Sequence, residues 1–328
     1  MGVGGMGDVL TGVIAALICG FGVSGMAAAQ ATDTISENAA VYMTYQSDAD
    51  EVAATPFKSA GDIDSALNTL GSYNADQLTR GWMAYSALVA SRDPEFSATV
   101  RDIEAFYGRE PVMKSFAAGN NYARSLNGGD NAVGGAIAVT DGDLPKIYSN
   151  AAVIKEQGYS LQGYGWAKSR IRDGGKRAEA VKYLQGKAKP ADSLIVSALT
   201  EQAPLSDGAK AGIINAAANA EDVAGAVRLP AFLTTGFTGN RQKVKYGKEA
   251  VANQIASLAA MRVIGANSVD QARLAKVMME PGVQSCLKMQ NLQLQGCVAG
   301  VGQEFELPHC ISQHTLSEVA DCLGSVYK

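Results

Sequence analysis

The sequence predicts an all-α fold, an array of short helices closed at its C-terminal end by a disulfide-linked helical hairpin. Three observations predict it. Helix start and stop signals recur along most of the chain. Strand text is confined to one short run, Gly134–Asp143, and a sheet needs several such runs. Four of the five cysteines fall in the last forty-three of 328 residues. Short helices joined by brief turns suit a compact array or a solenoid-like stack, although no fixed repeat of about 30–45 residues is visible.

The first element is an export signal, residues 1–31. Val9 to Val23 is apolar or small apart from Thr11, carries no charge, and leads to Ala29-Gln30-Ala31, an A-x-A cleavage pattern. The run falls short of the roughly 20 residues of a membrane span. A basic start is missing, because residues 1–8 contain no Lys or Arg. Ile18 before Cys19 disfavours a lipoprotein, which needs a small residue there. The stretch GGMGDVLTGVIAAL, Gly4 to Leu17, also resembles the GxGD corner of the ADP-dependent NAD(P)H-hydrate dehydratases, a ribokinase-like family. That resemblance implies phosphate held by glycine amides at a helix N-terminus and a catalytic role for Asp8. It covers fourteen residues, and no βαβ pattern follows. The export reading accounts for the whole stretch and places the protein in the periplasm or outside the cell, with membrane contact only through an uncleaved signal.

A helical domain follows, residues 32–280. Asn74 with Gln77 forms a capping-box start, and Leu78, Trp82, Tyr85 and Val89 succeed it at helical spacing. Asp93, Pro94 and Gly108 bracket a second helix as cap, first residue and stop. Its apolar set is Phe96, Val100, Ile103 and Phe106 or Tyr107. The glycine-rich run from Asn127 to Gly135, next to the strand-like text, predicts a sub-boundary near 127–145. A helical pair is expected over 192–204 and 206–220. Val251, Ile255, Leu258 and Met261 form one stripe that ends at Gly265. Ser268 with Gln271 opens a further helix, stopped by Pro281.

Residues 281–328 read as a four-cysteine hairpin. An even, clustered set in an exported chain predicts two disulfides. Cys286 and Cys297 are eleven apart, hence about 20° from each other around a helix but roughly 16 Å apart along it. They share a face and cannot bond each other. A two-helix hairpin then pairs Cys297 with Cys310 near the turn and Cys286 with Cys322 at the open end. His309 and His314 flank Cys310, and a zinc site would draw on such a cluster. The short CxxC spacing of structural zinc is absent, so no metal and no cofactor are expected.

The net charge of −4 implies no nucleic-acid partner, but it is unevenly spread. Residues 32–110 hold thirteen acidic and five basic side chains, whereas 159–189 hold eight basic and two acidic. Tyr164, Trp166, Lys168, Arg170, Arg172, Lys176 and Arg177 form the candidate partner-binding segment, since aromatic and basic groups together grip anions. Gly174-Gly175 should bend it into two short helices. Its partner would be an anionic protein, an anionic wall polymer, or the acidic N-terminal third of this same chain. A second basic stretch carries Phe237, Arg241, Lys243, Lys245 and Lys248.

No G-x-S-x-G elbow, H-E-x-x-H, EF-hand or P-loop pattern follows residue 31. The functional expectation is a non-catalytic envelope protein that binds or supports a structure. The alternative is a carboxylate-based hydrolase of envelope polysaccharide, which would need two carboxylates such as Glu37, Glu104 or Glu110 brought across a groove.

Overall fold

The computed structural model describes residues 34–201 and 249–326. The export segment with Cys19 and Ala29-Gln30-Ala31, the Gly4–Leu17 resemblance, the helix expected over 206–220, Phe237, and the cations Arg241, Lys243, Lys245 and Lys248 lie outside the described residues. Among the described residues every regular element is a helix, in agreement with the all-α class that the sequence predicts.

Local chemistry accounts for most boundaries. Helix α1 (Thr34–Ala54) is followed by α2 (Ala60–Gly71), capped by Ser59. Helix α3 (Ala75–Ala90) starts at Asn74, whose side chain accepts from the Gln77 amide at 2.8 Å. Helix α4 (Pro94–Tyr107) starts at Asp93, which accepts from the Phe96 amide at 2.9 Å, and stops at Gly108 with φ at +81°. Phe96 and Val100 are buried and Ile103 is partly so. Phe106 and Tyr107 remain exposed at the helix end, so the predicted apolar face ends one turn early. Helix α5 (Arg109–Phe116) follows directly.

Helix α6 (Gly129–Leu161) corrects two expectations. The strand-like run Gly134–Asp143 lies inside it, and the boundary near 127–145 is its first half. Ala132, Val133, Ala136, Ile137, Thr140 and Leu144 are buried at helical spacing, so packing overrides the β-branched, glycine-rich text. Pro145 sits within the helix.

Helix α7 (Gly174–Lys187) begins at the expected glycine pair, but the segment before it is a single 3-10 turn, Trp166–Lys168, rather than an α-helix. A Cβ at Gly174 would lie 2.7 Å from the Ala299 carbonyl oxygen, which fixes this residue as glycine. Helix α8 (Ser193–Glu201) precedes α9 (Glu249–Val263) in the described chain. Before α10 (Gln271–Val277) the cap is Asn267, boxed with Asp270, one residue earlier than the Ser268–Gln271 start predicted. Helix α11 (Pro281–Gly300), α12 (Leu307–Ile311) and α13 (Glu318–Gly324) complete the order, with a π-helical turn at Ser312–Ser317.

Helix α3 is the axis of the packing. It is buried almost all round, including every residue from Gly81 to Ala90, as a helix must be when it is apolar on all faces. Helices α1, α6, α9 and α11 all pack on it. Helices from both ends of the described sequence therefore meet at one element, rather than each packing only on its sequence neighbours. Gly81 permits the α1–α3 approach, since a Cβ there would lie 3.0 Å from the Asn38 carbonyl oxygen. Tyr42, Tyr45, Tyr73 and Tyr85 form a ring cluster beside it, and the Tyr45 hydroxyl donates to the Thr315 carbonyl at 2.7 Å. The segments 32–280 and 281–328 share this core: α11 packs on α3 and α7, and α12 packs on α6 and α2. Among the described residues both belong to one compact unit.

Candidate functional site

The four clustered cysteines form Cys286–Cys322 and Cys297–Cys310, with Cα–Cα distances of 5.6 and 5.7 Å. This is the nested pairing derived from helix geometry, with the inner bond near the turn. The cysteines are thus taken up by each other. His314 Nδ1 lies 2.8 Å from a Glu318 oxygen, and His309 is exposed. No group of three metal-ligating side chains occurs among the described residues. No described helix is long and apolar enough to cross a membrane.

The basic segment divides into an inward and an outward part. Arg177 points inward, 3.0 Å from Glu304 and 3.2 Å from Asp64. These carboxylates hold its guanidinium above the ordinary range against the opposing effect of burial. Asp64 belongs to α2, in the acidic N-terminal third. Trp166 packs partly buried against the core, and Tyr164 is exposed. Lys176 makes an exposed contact to Asp173 at 3.4 Å, which contributes little. Lys168, Arg170 and Arg172 are exposed and have no ion-pair partner among the described residues.

The backbone of this segment is tied to the start of the C-terminal turn. The Ile171 amide donates to the Gly302 carbonyl at 2.9 Å, and Gln303 donates to the Lys168 carbonyl at 3.3 Å. The same turn walls a cleft of about 500 Å³ over the Cys297–Cys310 bond, lined by Tyr159, Gln162, Phe305 and His309. Lys155 lies 5.9 Å from the Tyr159 ring centre. The cations and an aromatic cleft thus share one framework. The sequence singles out the cations with Tyr159 beside them, and His309 only as a zinc candidate; it does not show that Tyr159, from the end of α6, and His309, from α12, line one cleft.

A second cleft, about 740 Å³, lies where α1, α3, the end of α7 and α11 meet. Its wall is rich in carboxamides; the sequence marks Asn74 and Gln77 only as a capping pair and the other three not at all, because no two of the contributing helices are linked by a motif. Each cleft holds a single carboxylate among its lining residues, Glu306 in one and Asp76 in the other.

The buried carboxylates are otherwise engaged. Asp270 pairs with Arg109 at 2.7 Å, Glu304 with Arg177, and Glu280 caps α11 at the Val283 amide. Asp143 is pushed up by burial to about 6, with hydrogen bonding to Gln46 and Tyr85 and, less, the charge of Lys146 only partly offsetting this. It lines neither cleft. The carboxylates Glu37, Glu104 and Glu110 likewise line neither cleft, and Glu110 pairs with Arg273 at 2.5 Å.

No protein-family model matches the chain, and neither does any curated protein or solved structure.

Proposed function

We propose that the chain is an extracytoplasmic protein, periplasmic or secreted, that works by binding an anionic envelope polymer. The observation that carries the reading is the set of three exposed, unpaired cations, Lys168, Arg170 and Arg172, next to Tyr164 and the Tyr159–Phe305 cleft. Exposed cations without partners on the protein are available to an outside anion, and aromatic rings beside them supply stacking and cation–π surface. Two disulfides support an oxidising compartment. They also brace the turn that carries the cleft wall.

The test uses two charge changes. Arg170→Glu with Arg172→Glu should abolish co-sedimentation with the envelope polymer fraction and leave melting unchanged. Binding by the parent chain should weaken as salt rises, because such charges are screened over about 8 Å at physiological ionic strength. Arg177→Met should do the reverse, lowering stability by about 1–3 kcal/mol through stranded Glu304 and Asp64 while binding persists. Co-sedimentation that survives the double reversal would overturn the assignment, and retention on an acidic protein alone would redirect it. Export is checked separately: N-terminal sequencing from the native cell should begin at Thr32 or a near neighbour.

A further inference from the structure

The 740 Å³ cleft lies apart from the cations at 168–172, at the opposite end of the α7–α11 pair. Helix α11 contributes Lys288, Asn291 and Leu292 to it but Cys297 and Gly300 to the aromatic cleft. The volume falls within the range of ligand pockets, about 300–1,000 Å³. Five carboxamides line it: Asn38, Asn74, Gln77, Gln185 and Asn291. Most are fixed by their own contacts. Asn74 donates to the Gln185 carbonyl at 2.9 Å, Asn291 to the Tyr73 carbonyl at 2.9 Å, and Gln77 to the Lys189 carbonyl.

Two of these held side chains keep one buried polar atom without a partner. Gln185, 7 % exposed, accepts from Gln295 at 2.8 Å through Oε1, but its Nε2 has no acceptor. Gln77 Oε1 has no donor. Buried polar groups are nearly always paired, and a leftover donor and a leftover acceptor on two residues of this wall suit a group that both donates and accepts. Hydroxyls do this. Ala188 lines the same cleft and is the one non-glycine residue with positive φ among the described residues, at +56°; such conformations concentrate at binding sites.

Charge narrows the ligand further. Arg80 lines the cleft, and its Nε faces the Met279 sulfur at 3.3 Å, leaving both terminal nitrogens unpartnered among the described residues. Lys288 sits 3.4 Å from Asp76, which also accepts from Gln284 at 2.5 Å, so those two charges offset each other. One uncompensated guanidinium with two free donors suits one carboxylate held in a bidentate pair. Leu292 and Ala75 offer limited apolar surface for C–H faces.

We propose that this cleft is a binding site for a mono- or disaccharide bearing one carboxylate, with Arg80 on the carboxylate and the Gln77, Gln185 and Asn291 carboxamides on the hydroxyls. The site is independent of the polymer-binding surface.

Titration calorimetry on the oxidised full chain tests it with glucuronate and galacturonate against glucose and galactose. At least one acid should bind, roughly tenfold more tightly than its neutral parent. Arg80→Gln should erase that preference without changing the melting temperature, and Asn291→Ala should weaken acid and neutral sugar alike. Arg170→Glu with Arg172→Glu should leave sugar binding intact, which separates failure at one site from failure at the other. No binding of any sugar at millimolar concentration would overturn the proposal. So would an acid preference that survives in Arg80→Gln, or binding lost on reversing Arg170 and Arg172.

Discussion

Asp143 is a carboxyl in an unfavourable place. Burial between α1, α3 and α6 pushes it up to about 6, so it is largely ionised at neutral pH at a cost to the fold. The folded chain binds this proton more tightly than the unfolded chain does. Its penalty is therefore fully present above about pH 6 and is relieved as pH falls towards 4. Asp143→Asn should raise stability at pH 7.5 by roughly 2–3 kcal/mol, and its advantage over the parent should shrink steadily through pH 6 to pH 4.5 in thermal melts. An advantage independent of pH would show that burial of charge is not the cause. Nothing in the text around Asp143 announces this, because the burial comes from two other helices. Caps are the contrary case. Asn74 and Asp93 were legible because a cap is decided by the three residues that follow it. Arg170 and Arg177 could not be told apart by sequence. They lie seven apart in one basic stretch, yet only Arg177 finds Asp64 and Glu304.

At the scale of elements, the cysteine hairpin was readable to its pairing, since helix rise and periodicity alone forbid Cys286–Cys297. Helix α6 was not. Its glycines and β-branched residues imitate a loop and a strand, and the face that makes it a helix is visible only once α3 and the C-terminal helices cover it. The two disulfides close chain segments of unequal length, with separations of 36 and 13 residues. If restriction of the unfolded chain governs, the outer bond should stabilise by about 4 kcal/mol and the inner by about 3. Denaturant titration of the Cys286→Ala/Cys322→Ala and Cys297→Ala/Cys310→Ala pairs should rank them in that order. An inner bond worth more than the outer would mean that its place in the cleft wall, beside Gly300 and Phe305, matters more than loop length.

At the scale of the whole molecule, the C-terminal hairpin looked separable in the sequence because cysteines stop abruptly before Cys286. The packing joins it to the other described helices. Val283, Leu287, Leu294 and Val298 of α11 are buried, α11 lies against α3 and α7, and α12 lies against α2 and α6. Gly158 of α6 abuts Pro308 so closely that a Cβ there would lie 2.9 Å from the proline Cβ. A segment bound this way has no independent core to keep when the rest melts. The oxidised chain should therefore unfold in one transition, with calorimetric and van 't Hoff enthalpies equal. Reduction should shift that single transition to lower temperature, because the crosslinks act on the unfolded state of the whole unit. Two resolved transitions, the upper one lost on reduction, would instead identify the hairpin as a body with its own stability. A Leu287→Ala substitution distinguishes the cases by a second route. Its cavity should cost about 2–5 kcal/mol and lower the melting of the entire chain, reported equally by Trp82 fluorescence in a Trp166→Phe background and by far-ultraviolet dichroism. A loss confined to one of the two signals would mean that α11 can detach from α3 without unfolding it.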